Sequence, residues 1–234
     1  MSTVTPNYDF TISSYCNAAC PSCKRYESNN NPIDIPNEPL HPGLNQIHMD
    51  FDMFKFIIER DIDLFTNKYV TYEGELGDPM VHPHIKSFID LGAGIFKSLR
   101  VVTNGGMRTS KFFKDLGDMY SNLEIMFSID GLHDDLNGLY RRRVKTQSAI
   151  DNMIAFSESK YGQSIKNISW QYLIFEHNWF EIPEVLDFAK LYNIPVVIKI
   201  NTRPKFRIKE RLIPSVIKQY EKNKFRFSTL VLGN

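Results

Sequence analysis

Apolar and polar positions along this chain alternate between two periods. Residues 8–15, 68–73, 98–103, 123–129, 168–175 and 195–200 form short runs rich in β-branched and aromatic side chains, and these predict six strands. Between them the apolar residues fall at helical spacing. The predicted helices start at 50, with Asp50 as N-cap, and at 83, ending near Gly92 and Gly94. Others follow Thr109, cover 134–160 with a break near Val144, and cover 181–192 and 214–223. Strands that alternate with helices imply βα units and a parallel sheet. Right-handed crossovers curl such a chain into a barrel or part of one. Six units fall short of the eight of a closed barrel. The expected fold is therefore α/β, a partial (β/α)6 barrel of the triosephosphate isomerase type with parallel strands.

Composition adds bounds rather than detail. The chain has 234 residues, 42% hydrophobic and 24% charged, close to an ordinary globular domain. No apolar run approaches the ~18 residues of a membrane span. The first ten residues show no basic segment followed by an apolar one, so no signal peptide is expected and the expected compartment is the cytoplasm. The net charge of +1 is unevenly spread: residues 199–226 contain ten Lys and Arg and two Glu. A basic end on an acidic body points to an anionic substrate or partner, and a solvated charged surface accounts for it equally well. No RNA-binding motif supports a nucleic acid as that partner.

The three cysteines change the picture. Cys16, Cys20 and Cys23 lie within eight residues, in Cys-Asn-Ala-Ala-Cys-Pro-Ser-Cys, directly after the first predicted strand. An odd number, closely spaced in loop chemistry, argues against disulfides and against inert core cysteines. A structural zinc site wants four ligands, and the nearest histidines, His41 and His48, lie well downstream. An iron–sulfur cube normally takes four thiolates. Three thiolates leave one metal without a protein ligand, which suits a metal that works on a substrate.

Polar clusters follow the other strands. Glu73-Gly74-Glu75-Leu76-Gly77-Asp78-Pro79 ends the second and Thr103-Asn104-Gly105-Gly106 the third. Ser128-Ile129-Asp130-Gly131 ends the fourth and Glu176-His177-Asn178 follows the fifth. In parallel α/β folds these C-terminal strand ends share one rim, where ligands bind. Each cluster alone is also ordinary turn chemistry.

Together these residues resemble the radical S-adenosylmethionine (radical SAM) superfamily, nearest its SPASM and Twitch branch. The match rests on Cys-x3-Cys-x2-Cys after the first strand and on Gly77-Asp78-Pro79 in a Gly-Glu-Pro-like motif. It also rests on Thr103-Asn104-Gly105, and on Ser128-Ile129-Asp130-Gly131 followed by Tyr140-Arg141-Arg142. The resemblance implies a single [4Fe-4S] cluster on Cys16, Cys20 and Cys23, and S-adenosyl-L-methionine as cofactor. It implies an oxidoreductase- or lyase-type radical enzyme. An external reductant of flavodoxin or ferredoxin type supplies the electron. The cofactor contacts it implies are Gly77 and Asp78 on the methionyl ammonium, Thr103 and Asn104 through backbone groups, and Ser128, Asp130 and Asn178 on ribose. An arginine of the 141–143 run, assigned to Arg142, pairs with the carboxylate. The chain departs from the branch in two ways. Position 22 is Ser where an aromatic stacks on adenine in many members, and no cysteine follows Cys23 to hold an auxiliary cluster.

No catalytic residue is assigned, and the substrate is left open between a peptide, a nucleotide and another small molecule. Glu73, Glu75, His82, His84 and His177 are weaker candidates for catalysis, a histidine beside Pro in a loop usually being a surface or packing residue. Residues 1–204 are expected to form the barrel core, with 24–49 a long loop fit to be a lid, and 205–234 a basic extension packed on it. Two other readings of the cysteines stand beside this one: an iron–sulfur electron-transfer or scaffold protein without SAM chemistry, and a zinc-binding nucleic-acid module.

Overall fold

The computed structural model describes residues 8–21, 23–26, 40–201 and 208–232. Seven parallel strands form one sheet in sequence order. They are β1 (Tyr8–Phe10), β2 (Tyr69–Tyr72), β3 (Ser98–Thr103), β4 (Leu123–Ser128), β5 (Ile168–Ile174), β6 (Val196–Ile200) and β7 (Ser228–Val231). β1 and β7 sit at opposite ends of that order, so the barrel is not closed. The expected parallel partial barrel is present with one strand more than the six expected. β7 pairs in register with β6, Val196 opposite Ser228 and Lys199 opposite Val231. Its four residues lack the alternation that marks a strand in sequence. Pairing, not local pattern, makes it a strand.

Eight helices stand among the described residues: α1 (Phe51–Arg60), α2 (Ile62–Phe65), α3 (Ile85–Ile95), α4 (Ser110–Met119), α5 (Asp134–Tyr140), α6 (Thr146–Ser157), α7 (Ile182–Leu191) and α8 (Ile213–Asn223). Asp50 caps α1, its Oδ1 accepting the Met53 N–H at 2.8 Å, and Thr109 caps α4 through Phe112. The break near Val144 separates α5 from α6. α3 ends at Ile95, beside Gly94, where the sequence predicts its end. Gly92 is needed there because a Cβ would meet the Tyr72 hydroxyl at 2.7 Å. None of the described helices is long and apolar enough to cross a membrane.

Strand alternation sorts the sheet into two faces. Val70, Tyr72, Leu99, Val101, Ile125, Phe127, Trp170, Tyr172, Val196 and Ile198 are buried in one hydrophobic core. The alternate positions Arg100, Val102, Glu124, Met126, Gln171, Leu173, Val197 and Lys199 are only half-buried. They form the inner face of the open barrel, where Arg100, Glu124, Gln171 and Lys199 add polar groups to an otherwise apolar lining. Arg100 Nε donates to Glu124 at 2.8 Å, Ser169 donates to Glu124 at 3.0 Å, and Lys199 donates to Gln171 at 2.8 Å.

The predicted long loop is described at its two ends, and 27–39 lie outside the described residues. Its returning arm runs back along the first strand. Tyr26 bridges Leu40, Ser13 bridges His48, and Met49 N–H donates to Ile12 O at 2.9 Å.

Candidate functional site

β1 ends in the cysteine loop, and three other strand ends meet it. Asn104, after β3, is the principal tie. Its Nδ2 donates to Asn17 Oδ1 at 2.8 Å and approaches Cys16 Sγ at 3.7 Å, while Ala18 N–H reaches the same sulfur at 3.3 Å. Asn104 Oδ1 accepts the Gly106 N–H at 2.8 Å, and Gly105 between them has φ +74°, a conformation that suits glycine. The segment after α5 adds a second tie, Ala19 N–H to Arg142 O at 3.0 Å.

The loop after β2 docks on β1 through Gly77. A Cβ there would lie 2.0 Å from Ser13 O and 2.7 Å from Tyr15 O, so only glycine allows the approach. The next residue closes the contact, Asp78 N–H donating to Tyr15 O at 2.8 Å. The Asp78 carboxylate is 3% exposed and accepts from Met80 N–H (2.9 Å), Asn104 N–H (2.8 Å) and the Thr103 hydroxyl (3.0 Å). Burial pushes this carboxyl above its ordinary value, and those donors pull it back.

These groups enclose a cavity of about 310 Å³ on the inner face of the sheet. The three cysteines line it. So do Gly77, Asp78, Thr103, Asn104 and Ser128, five of the eight predicted cofactor contacts. The structure does not bring the other three to it. Asp130 and Asn178 are fully buried behind the wall, tying β4 to β5. Asp130 Oδ1 accepts the Leu173 N–H at 2.8 Å, and Asn178 Nδ2 donates to Asp130 O and Leu173 O at 2.9 and 2.8 Å. Of the arginine run it is Arg141, not Arg142, that lines the cavity, because the turn after α5 aims it inward. Its Nε donates to Asp130 Oδ2 at 2.6 Å.

Residues without a motif line the cavity too. Arg25 lies in it, 4% exposed. Glu73, Glu75, Gln171 and Tyr140 complete much of the rim, and Lys24 reaches from the cysteine loop to pair with Glu75. Burial, with Asp9 and Glu75 nearby, pushes Glu73 above its usual range. The alternation of β5 could have marked Gln171 as inward-facing, and Glu73 heads the polar cluster after β2; Arg25 carried no sequence signal of its own.

All three cysteines are free thiols. Burial pushes Cys16 up to about 12 and Cys20 up to about 11, the Arg141 guanidinium working against burial at Cys20. Buried thiols that meet N–H donors and a cation are a donor set suited to a bound metal group, which supplies the charge that keeps them deprotonated. No three His, Cys, Asp or Glu side chains among the described residues stand close enough to hold a single metal ion. The three cysteines instead share the lining of one cavity of about 310 Å³. The residues present therefore fit an iron–sulfur cluster.

Similar architecture occurs in solved structures. Over 97% of this chain, SuiB of Streptococcus suis superimposes with a TM-score of 0.68 at 14% identity, in a structure with its precursor peptide SuiA; the match covers 48% of that chain. A SuiB structure with S-adenosylmethionine gives 0.67. The chain anSMEcpe with bound AdoMet gives 0.59 over 94% of this chain and 57% of its own, at 14% identity.

The chain shares the partial-barrel fold of these S-adenosylmethionine-binding structures.

One curated protein is similar in sequence. The tungsten-containing aldehyde ferredoxin oxidoreductase cofactor-modifying protein of Pyrococcus furiosus is 24% identical over 199 residues, 82% of this chain and 50% of the relative. The chain thus spans about half the length of that relative and of SuiB. No protein-family model matches it.

Proposed function

We propose that this protein is a radical SAM enzyme holding one [4Fe-4S] cluster on Cys16, Cys20 and Cys23. The observation that carries the reading is the meeting of three free thiols with Gly77, Asp78, Thr103, Ser128 and Arg141 around one cavity at the C-terminal strand ends. When bound, the cluster and S-adenosylmethionine supply one-electron cleavage to methionine and a 5′-deoxyadenosyl radical that abstracts hydrogen from the substrate.

The chain's own part is to bind, orient and shield. Asp78 keeps acceptor capacity for an ammonium, since a carboxylate offers about four lone-pair sites and three donors already use it. Arg141 spends Nε on Asp130 and also hydrogen-bonds Cys20, and its planar fork of five donors keeps capacity for a carboxylate. Ser128 presents a hydroxyl suited to a ribose. Asp130 and Asn178 act one layer back by fixing Arg141 and the β5 end. The polar inner face around Glu73 and Gln171 receives the substrate.

A peptide leads among the substrate classes, supported by the peptide-bound structures of SuiB and anSMEcpe. The electron comes from a flavodoxin- or ferredoxin-type donor, and cysteines kept as thiolates for a cluster suit a reducing compartment such as the cytoplasm. The basic C-terminal segment belongs, in this reading, to the same unit as the barrel, with β7 as its strand.

The test is anaerobic reconstitution with iron and sulfide, then S-adenosylmethionine and dithionite, with 5′-deoxyadenosine quantified beside Cys20→Ala. Cysteine-dependent 5′-deoxyadenosine is expected. A formed cluster that ignores S-adenosylmethionine would point to electron transfer instead, and zinc in place of iron would overturn the reading.

A further inference from the structure

Among the described residues that line the cavity, Arg25 is the one with a buried side-chain nitrogen left without a partner. It follows Cys23 by two positions, is 4% exposed, and lines the cavity with the three cysteines. Its Nε is buried without a hydrogen-bond partner, and Nη1 makes a single long bond to Ala18 O at 3.5 Å. Among the described residues no carboxylate pairs with it, in contrast to Arg141, which has Asp130, and Lys24, which has Glu75. The Tyr26 ring lies 5.9 Å away, which offers partial compensation only. A buried guanidinium without an anion costs several kcal/mol. An anion in the cavity would offset that cost, and Arg25 acts electrostatically on the Cys16 sulfur, where negative charge would collect with a cluster bound.

We infer that Arg25 is the counter-cation of the iron–sulfur cluster, a positioning residue that neutralises its charge from the Cys16 side and raises its reduction potential. The inference rests on the proposed cluster. The chemistry is electrostatic: a cluster gains negative charge on reduction, so a buried cation nearby favours the reduced form. Asn104 Nδ2 and Ala18 N–H act on the same sulfur in the same sense.

Arg25→Met and Arg25→Lys decide it, compared with wild type for iron and sulfide content, cluster midpoint potential by spectroscopic redox titration without S-adenosylmethionine, and melting of the metal-free protein. Arg25→Met is expected to melt no lower than wild type when metal-free, because it removes an uncompensated buried charge. Its cluster is expected to titrate at a more negative potential, with Arg25→Lys close to wild type. A purely structural Arg25 gives the opposite pair, a lower melting point and an unchanged potential, and that result overturns the inference. If Arg25→Met loads no iron, loading restored by Arg25→Lys supports the charge role and loading not restored refutes it. A wild type that takes up no iron and sulfide sinks the cluster reading itself, whereas equal potentials at equal iron content sink only the role of Arg25.

Discussion

Arg141 Nε sits 2.6 Å from Asp130 Oδ2, and the carboxylate side of this pair is fully buried. The pair joins the turn after α5 to the end of β4, and Leu173 N–H on the other carboxylate oxygen extends it to β5. One ion pair therefore holds three elements of the cavity wall in register.

Removing one partner leaves a buried charge. Arg141→Met is expected to destabilise the metal-free protein by about 3–5 kcal/mol, because Asp130 loses its counter-ion. Asp130→Asn in the Arg141→Met background should recover part of that loss. Urea denaturation of the single and double variants checks both. Equal stability of Arg141→Met and wild type would falsify the claim.

Asp78 organises the cavity as well as facing it. Asp78→Ala strips the Met80 and Asn104 N–H groups and the Thr103 hydroxyl of their acceptor. A cost of about 1–3 kcal/mol is expected for the buried donors left bare. Binding of S-adenosylmethionine to the reconstituted protein, followed by calorimetry, should be lost in Asp78→Ala. Asp78→Asn keeps one acceptor oxygen, so it should fold better than Asp78→Ala while still binding weakly.

Gly77→Ala tests the docking of the second loop on the first strand. The added methyl overlaps Ser13 O at 2.0 Å, so the backbone must move. Overpacking of this kind costs about 1–3 kcal/mol. Because the moved atoms lie next to Cys16, iron content after reconstitution should fall as well. Normal stability together with full iron loading would show that the loop has room the structure does not display.

His82 sets an acid limit. Burial pushes its pKa below 6.5, with the bond from Nε2–H to Met49 O at 2.9 Å acting in the opposite sense. Nδ1 accepts the His84 N–H at 3.0 Å, so a proton there breaks a bond. The native ring stays neutral while the unfolded ring takes a proton near 6.5. Stability is therefore expected to fall as pH drops below about 6.5. Melting temperature measured from pH 7.5 to 5 should decline more steeply for wild type than for His82→Gln. Parallel curves would mean that His82 does not contribute.

The exposed face of α1 and α2 shows how far periodicity reaches. Phe54, Ile58 and Phe65 lie inside, yet Met53, Phe56 and Leu64 on the same segment stand open to solvent. Spacing tells which residues share a face and says nothing about whether a partner layer covers it.

The sequence by itself determined the order and type of most elements, the caps Asp50 and Thr109, and the three-thiol loop after β1. Those depend on interactions a few residues long: apolar spacing, a side chain reaching the third amide, the distance between cysteines. Only the tertiary structure decided that β7 joins the sheet, that Arg141 rather than Arg142 enters the cavity, and that Asp130 and Asn178 brace its wall. The same holds for Arg25, buried without an anion. Each depends on strands meeting side by side, as when Asn104 reaches Cys16 across 88 residues of chain. Local propensity carries no record of such a meeting, because the energy that sets it comes from burial and pairing between distant segments.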